Sequence, residues 1–501
     1  MSGETPSTSP TDISWWTERL RGAWSQRELR WLAAIVVLAA ALRIAWVLYA
    51  AREPQGLHDP LLFNLLGQRI AGGDGYSYPE GSTAYYPVGY PATLGAVYFV
   101  VKHTFIPDNL VLANAFLQVF LSVATVALTF AVARRLFNET VGLVGAAWLA
   151  VFPNLIYHTA NYLTETLFNF LVMLALLVLF GASWQERRIA AWRLIAFGVA
   201  LAASAFVRPI SLLLLPLLLV AFVSGGFGWR RSLGYAGAVL GVTAALIAPW
   251  TVRNIVVMDS PIVISANIGD DLCIGHYAGA PGYFAPPPVC FDGYEGLDHT
   301  ELVVQRNDDN LRRALTFMRE HPWFTLRNLS HKAYYMWEHD HDGIIAVESY
   351  GDDGFLDPGT RRFLTKTADL FFYFTISVGA LGLAGFVVRP LDPRRLFFLL
   401  ALLAFAGVPL AFFGDSRFHV PVLPFLAVSA SWFVVTVGTL ALRLAKEGVS
   451  DTPGTPRRSV ATPGGTFASP GGPPKDSDVE VAEGEAPMAD EDALQDAEAD
   501  E

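Results

Sequence analysis

The 501-residue chain is 53% apolar and only 16% charged, with 34 Phe, 13 Trp and 17 Tyr. Soluble chains carry about 25% charged residues, and one this poor in charge could not cover its surface, so the composition excludes a string of soluble domains and points to an integral membrane protein. The net charge of −11 is local, because residues 476–501 hold twelve Asp/Glu and no Lys/Arg and the rest of the chain sits at +1; no basic face or zinc-finger spacing suggests a nucleic-acid partner.

Residues 1–30 are polar and carry Arg19, Arg21, Arg27 and Arg30 before the first apolar run. That run is therefore expected to stay as an anchor rather than be removed as a signal peptide. Trp15, Trp16, Leu20 and Trp24, within 13–29, suit an interfacial helix with Trp at headgroup level. A ~30 Å hydrocarbon core needs ~20 apolar residues. Stretches of that kind lie at 31–51, 110–133, 140–159, 163–183, 190–207, 210–226, 232–250, 368–388, 395–413 and 420–443.

The stretch 91–105 is apolar but short. Reading it as a re-entrant or interfacial helix places the Arg-bearing loops on one side. These hold Arg134 and Arg135; Arg187, Arg188 and Arg193; Arg230 and Arg231; Arg389, Arg394 and Arg395; and Arg443 with Lys446. Short cytoplasmic loops collect Lys and Arg, so both termini are expected in the cytoplasm.

This topology divides the chain. Residues 1–30 form a cytoplasmic segment, and 31–250 a membrane domain that includes an outer loop at 52–109. Residues 251–367 form a large outer loop of mixed structure and 368–446 the last membrane helices. Residues 447–501, rich in Pro, Gly, Ser and Thr and then in acidic residues, form a tail whose composition cannot bury a core. The fold class is thus an all-α polytopic membrane protein with about ten crossings.

Polar residues gather at the outer membrane face: His58 and Asp59, Glu80, Tyr85 and Tyr86, Tyr157 and His158, Glu165, Arg208, Arg253, and Arg417 with His419. Outer arginines run against the charge bias of loops and ask for an anionic partner at headgroup depth. Asp59 precedes an amphipathic stretch, so a helix N-cap is its plainer reading; a general base at the bilayer edge is the functional one. Glu165 opens a span, where helix polarity favours a carboxylate. Arg43, inside the first span, is a weaker candidate for a phosphate site. The run Glu338-His339-Asp340-His341-Asp342 has metal-ligand residue types at a spacing unlike a dedicated site, and reads as a solvated loop. Cys273 and Cys290 both fall in the large outer loop, where an oxidising compartment permits a disulfide.

Several segments resemble the GT-C membrane glycosyltransferases, in the branch of dolichyl-phosphate-mannose–protein mannosyltransferases and aminoarabinose transferases. They run from Asp59 through Ala71-Gly72-Gly73-Asp74-Gly75-Tyr76 to Tyr86-Pro87-Val88-Gly89-Tyr90-Pro91. Then come Ala133-Arg134-Arg135-Leu136-Phe137, Phe152-Pro153 with Leu163-Thr164-Glu165, and Val207-Arg208-Pro209. Pro249-Trp250-Thr251-Val252-Arg253-Asn254 and Ser416-Arg417-Phe418-His419-Val420-Pro421 with Pro424-Phe425 complete the set.

The resemblance implies a polyprenyl-phosphate sugar as donor and a protein, glycan or lipid as acceptor, on the outer face of the cytoplasmic membrane. It makes Asp59 the catalytic carboxylate, although Pro60 follows where some members carry a second acid. Arg208, Arg253 and Arg417 become candidates for the donor phosphate, and His58, Glu80, Tyr86, Glu165 and His419 further candidates for the site. Some relatives hold a divalent metal with a Glu just before the Pro-x-x-Gly-Tyr segment. Tyr85 and Tyr86 stand there in this chain, and Glu80 is the nearest carboxylate. No cofactor beyond such a metal is implied. A transporter or lipid flippase, or a non-catalytic envelope scaffold, are the readings from other classes; transporters tend to place polar residues at the midplane of inverted repeats, and neither feature is visible.

Overall fold

All ten apolar stretches are helical in a computed structural model that describes residues 25–104, 109–182, 184–388 and 391–450. The Trp residues of the expected interfacial helix, Arg389 and the acidic tail beyond 450 lie outside the described residues. Residues up to Ala445 form one compact unit.

Among the described residues, six helices are long and apolar enough to cross a membrane: Gln26–Ala50, Leu110–Leu136, Trp229–Met258, Pro358–Val387, Pro393–Ala411 and Ser416–Ala445. Three shorter apolar helices, Glu165–Phe180, Ala191–Val207 and Pro209–Ser224, coincide with three further stretches. The chain is a polytopic helical membrane protein.

The remaining stretch is not a straight span. Glu139–Ala150 and Pro153–Ala160 meet at a 61° bend. Pro153 cannot continue the helix, since it lacks an N–H and its ring crowds the preceding turn. The break frees backbone carbonyls inside the bundle, and Arg43 answers them. This fully buried side chain donates from Nη1 to Ala150 O at 2.8 Å, from Nη2 to Leu149 O at 3.1 Å and from Nε to Ser122 Oγ at 2.7 Å. Arg43 is a cap for broken backbone, not a phosphate ligand.

Within the expected first outer loop, helix Asp59–Gly72 is followed by a small hairpin, Ser77–Tyr78 with Gly81–Ser82, and by helix Gly89–Lys102, which takes in most of the short stretch 91–105. The two helices approach closely because neither has a side chain at the crossing. A Cβ on Gly67 would lie 2.7 Å from Leu94 Cβ, and one on Gly95 2.6 Å from Ile70 Cγ2. Tyr98 Oη then donates to Asn64 Oδ1 at 2.8 Å across the contact.

The second outer loop is built of helices, and the described residues hold no named strand outside the first-loop hairpin. Trp229–Met258 runs past the expected end of its span, and Pro358–Gly382 begins before the expected start of the next. Between them lie Ile268–Gly275, Pro288–Phe291, His299–Glu320, Pro322–Trp337 and Asp342–Val347. His299–Glu320 is capped by Asp298, whose Oδ1 accepts from Thr300 N and Glu301 N at 2.8 and 2.9 Å. It buries Val303, Asn310 and Ala314 beneath an otherwise polar surface.

Cys273 and Cys290 form a disulfide, with Cα atoms 6.1 Å apart, and Asn310 bridges the same region by donating to Asp270 Oδ1 and Cys290 O. Its 17-residue separation gives ~3 kcal/mol of stabilisation on the chain-entropy model. Reduction should therefore loosen the outer loop while the membrane helices persist. Limited proteolysis with and without reductant checks this, and quantitative alkylation of both thiols without reductant would count against it.

The basic helix ends meet at one end of the bundle. Arg135 donates to Leu177 O, Arg193 to Val178 O and Arg395 to Leu136 O, and Arg134 pairs with Glu28 at 2.7 Å.

Candidate active site

Asp59 stands in the first turn of helix Asp59–Gly72, but it is not the cap. His58 occupies the cap position and makes no capping bond. The Asp59 carboxylate instead reaches across the fold. Tyr86 Oη donates to Oδ1 at 2.7 Å, and Arg417 Nη1 donates to Oδ2 at 2.9 Å. Tyr86 is brought there by the first outer loop, its ring edge-on to Phe63 with centroids 4.8 Å apart.

Arg417 continues the chain of charges inward. Its Nε donates to Glu165 Oε1 at 3.1 Å, and the same oxygen takes a short bond from Arg208 Nη2. Arg208 Nε also donates to Thr164 Oγ1 at 2.8 Å. The order is Asp59, Arg417, Glu165, Arg208. Side-chain exposure falls from 32% at Asp59 to 15% at Arg417 and 0% at Glu165. Asp59 can therefore meet a ligand, whereas Glu165 can only hold the two guanidiniums in place. Burying such charges is costly unless they are paired and hydrogen-bonded, and each is. Neither Arg417 Nη2 nor Arg208 Nη1 has a hydrogen-bond partner among the described residues.

The other expected site residues are dispersed. Arg253 does not join this chain of charges: it donates from Nη1 to Thr83 O at 2.9 Å and from Nη2 to Tyr76 O at 2.8 Å, and so holds the first outer loop to helix Trp229–Met258. Glu80 is exposed at the hairpin turn. His58 lies at the rim, with Nε2 3.0 Å from Asp352 Oδ2. His419 faces away and packs against Phe372 and Trp337, with ring centroids at 4.3 and 5.5 Å. Its Nδ1 meets Met336 O at 2.6 Å and its Nε2 meets Asp340 Oδ1 at 2.8 Å, so it braces the outer loop.

The acidic-histidine run is not a solvated loop. Asp340 and Asp342 are buried, because helix Pro358–Gly382 and the turn at Ser416 close over them. Burial and the neighbouring Asp415 carboxylate push the Asp342 carboxyl up to about 7.

Two residues that sequence reasoning passed over also face the site. Tyr350 Oη lies 3.4 Å from Arg417 Nη1, and its ring packs on His58 with centroids 4.9 Å apart. Ser349 and Tyr350 both have positive φ, 51° and 57°, an uncommon state for residues with side chains. Such strain persists where surrounding contacts over-determine it; here Gln55 N donates to Ser349 Oγ at 2.9 Å. Asp271 is the second. Burial, with Asp270 and then Asp59 adding like charge, pushes its carboxyl up to about 8. No local motif marks either residue, and the backbone strain at Tyr350 is visible only once the chain is folded.

The residues at Asp59 do not fit a divalent metal. Both oxygens are engaged by Tyr86 and Arg417, and Glu165 lies behind two guanidiniums. A dication there would face two fixed cations.

Comparison with known proteins adds to this geometry. Residues 94–252 match the family model of dolichyl-phosphate-mannose-protein mannosyltransferases. This stretch resembles that family. It carries Glu165 and Arg208, and it stops one residue short of Arg253. No curated protein matches the chain.

Solved structures match at low identity. The oligosaccharyltransferase AglB of Archaeoglobus fulgidus, in complex with an inhibitory peptide and a dolichol-phosphate, matches at 14% identity and TM-score 0.47 over 86% of this chain and 52% of that one. An Archaeoglobus fulgidus oligosaccharyltransferase tethered with an acceptor peptide gives 14% identity and TM-score 0.49, over 87% and 52%. ArnT of Cupriavidus metallidurans, bound to undecaprenyl phosphate, gives 12% identity and TM-score 0.37, over 83% and 80%. The chain spans about half the length of the archaeal enzyme.

Proposed function

We propose that this chain is an inverting glycosyltransferase that moves a sugar from a polyprenyl-phosphate donor to an acceptor hydroxyl at the outer face of the cytoplasmic membrane. The observation that carries the reading is the chain of charges itself. A carboxylate sits at its exposed end, and behind it two arginines each keep one terminal nitrogen without a protein partner.

The donor's lipid tail stays in the bilayer, which places its phosphate at headgroup depth. Asp59 takes the proton of the acceptor hydroxyl as the new bond to the anomeric carbon forms. The bond from that carbon to the phosphate oxygen breaks on the opposite side, so the configuration inverts. The polyprenyl phosphate leaves as a stable anion and needs no general acid. Arg417 and Arg208 bind that developing charge, each through its one remaining terminal nitrogen in a charge-assisted hydrogen bond. Tyr86 orients Asp59, and Glu165 fixes the arginines.

The test uses the purified chain in nanodiscs with polyprenyl-phosphate sugars and envelope extracts as acceptors. Release of free polyprenyl phosphate, with the sugar appearing on an acceptor of protein, glycan or lipid type, is the expected result. Flipping of the donor lipid without any sugar transfer would favour the transporter reading instead.

Topology is tested separately. With the Arg ends of the helices in the cytoplasm, Asn138→Cys should resist a membrane-impermeant thiol reagent in intact cells and react after permeabilisation. Rapid labelling in intact cells would place the chain of charges on the inner face.

A further inference from the structure

The run Glu338-His339-Asp340-His341-Asp342 folds against helix Pro358–Gly382. One ligand atom each of His339, His341 and Asp369 lies within 4.8 Å of the others. Asp369 comes from helix Pro358–Gly382, whereas the histidines sit at the end of the outer loop. We propose that these three residues bind a zinc-class divalent cation that staples the outer loop to that helix.

The donor set selects the class of ion. Two imidazoles and one carboxylate suit zinc and its first-row neighbours, whereas calcium and magnesium take oxygen ligands. Three protein ligands leave a fourth tetrahedral position to water.

The geometry is nearly in place. A tetrahedral zinc with bonds of ~2.1 Å sets its ligand atoms ~3.4 Å apart. His341 Nδ1 is already 2.9 and 3.0 Å from the two Asp369 oxygens, so this edge needs to open by only a few tenths of an ångström. His339 has to move inward and turn, because its ring is stacked on that of His341, with centroids 4.2 Å apart and planes 24° apart, and both in-plane lone pairs meet one ion only once the stack opens.

Two further contacts support the assignment. His339 Nδ1 is buried and has no hydrogen-bond partner among the described residues, which is costly for a polar atom and calls for an explanation. Its other nitrogen, Nε2, lies 3.3 Å from Ser416 Oγ. With Nε2 occupied by a hydroxyl, Nδ1 is the nitrogen left to ligate, the usual division of labour for a metal-bound histidine. Asp369 is oriented in turn by the Asp340 N–H, which donates to Oδ1 at 2.8 Å.

This site is separate from the one at Asp59 and does not depend on the glycosyltransferase reading. It lies beside the catalytic machinery all the same. Ser416 precedes Arg417, and its Oγ also donates to Asp342 Oδ1 at 2.7 Å. The cation would fix the turn from which Arg417 projects.

The experiment uses the full-length chain, purified in detergent, stripped with chelator and dialysed. Titration with zinc chloride followed by isothermal calorimetry should show one equivalent bound, and the melting temperature should rise with zinc concentration. Magnesium and calcium chlorides should not compete. His339→Gln and His341→Gln should each weaken binding by at least ~10-fold, as even an outer-shell change at metal sites typically does. Asp369→Asn also disturbs the Asp340 contact, so the histidine variants decide the matter. The X-ray absorption edge of zinc-loaded wild type gives a readout that needs no variant, and should show two imidazoles with oxygen ligands. Substoichiometric binding, unchanged affinity in both histidine variants, equal uptake of magnesium, or a zinc shell without imidazole would each overturn the proposal.

Discussion

Asp59→Asn should lower the rate of sugar transfer by ~10²–10⁴-fold, the range that a positioned general base contributes. The substitution keeps size and shape. The amide oxygen can still accept from Tyr86 Oη, whereas the amide NH2 cannot accept from Arg417. What it loses is the capacity to take a proton, together with the ion pair to Arg417. The structure sharpens this test, because Asp59 is not the cap of its helix and its replacement removes no capping bond. Side-chain exposure of 32% also means that the change empties no core position. The variant should insert, fold and elute from size exclusion as wild type does. Turnover within a factor of two of wild type, measured with the same purified donor, would take Asp59 out of the catalytic role.

Glu165→Gln should fail differently. Glu165 is fully buried and accepts from both Arg208 and Arg417. A neutral amide there leaves two poorly solvated guanidiniums without their shared counter-charge, and removing one partner from a buried ion pair costs ~3–5 kcal/mol. A large drop in the thermal unfolding midpoint in detergent is expected, with transfer falling as Arg417 loses its inner tether. The pattern across the two variants separates the roles. Asp59→Asn should be stable and slow, and Glu165→Gln unstable first and slow as a result. A Glu165→Gln protein with a normal midpoint would mean that the arginines are held by something else.

Much of the membrane architecture was legible in the chain. Hydrophobic length is a local property, so the ten apolar stretches appear as helices close to where their composition places them. The bend at Pro153 follows from a single residue whose chemistry is known in advance. The large outer loop also declares its cysteines, although only the fold shows that Cys273 and Cys290 lie close enough to join.

The site was legible only in part. Asp59, Glu165, Arg208 and Arg417 could be singled out because charged residues at a membrane face are costly and ask for partners. Which partner each would find could not be read. Asp59 and Arg417 are 358 positions apart, and Glu165 and Arg417 are 252 apart. Arg253 has the same residue type as Arg208 and stands just past the expected outer end of its span, yet it bonds to backbone carbonyls instead. His419, two residues from Arg417, packs against two aromatic rings instead. Tyr350 reaches the site through a strained turn with no local signature. The acidic-histidine run looked solvated because its polarity is local information, whereas its burial depends on a helix that begins sixteen residues later. The sequence alone determines which segments leave water, since that depends on the apolar content of each stretch. Only tertiary structure decides which charges meet, because ion pairing acts through space between residues that the chain holds far apart.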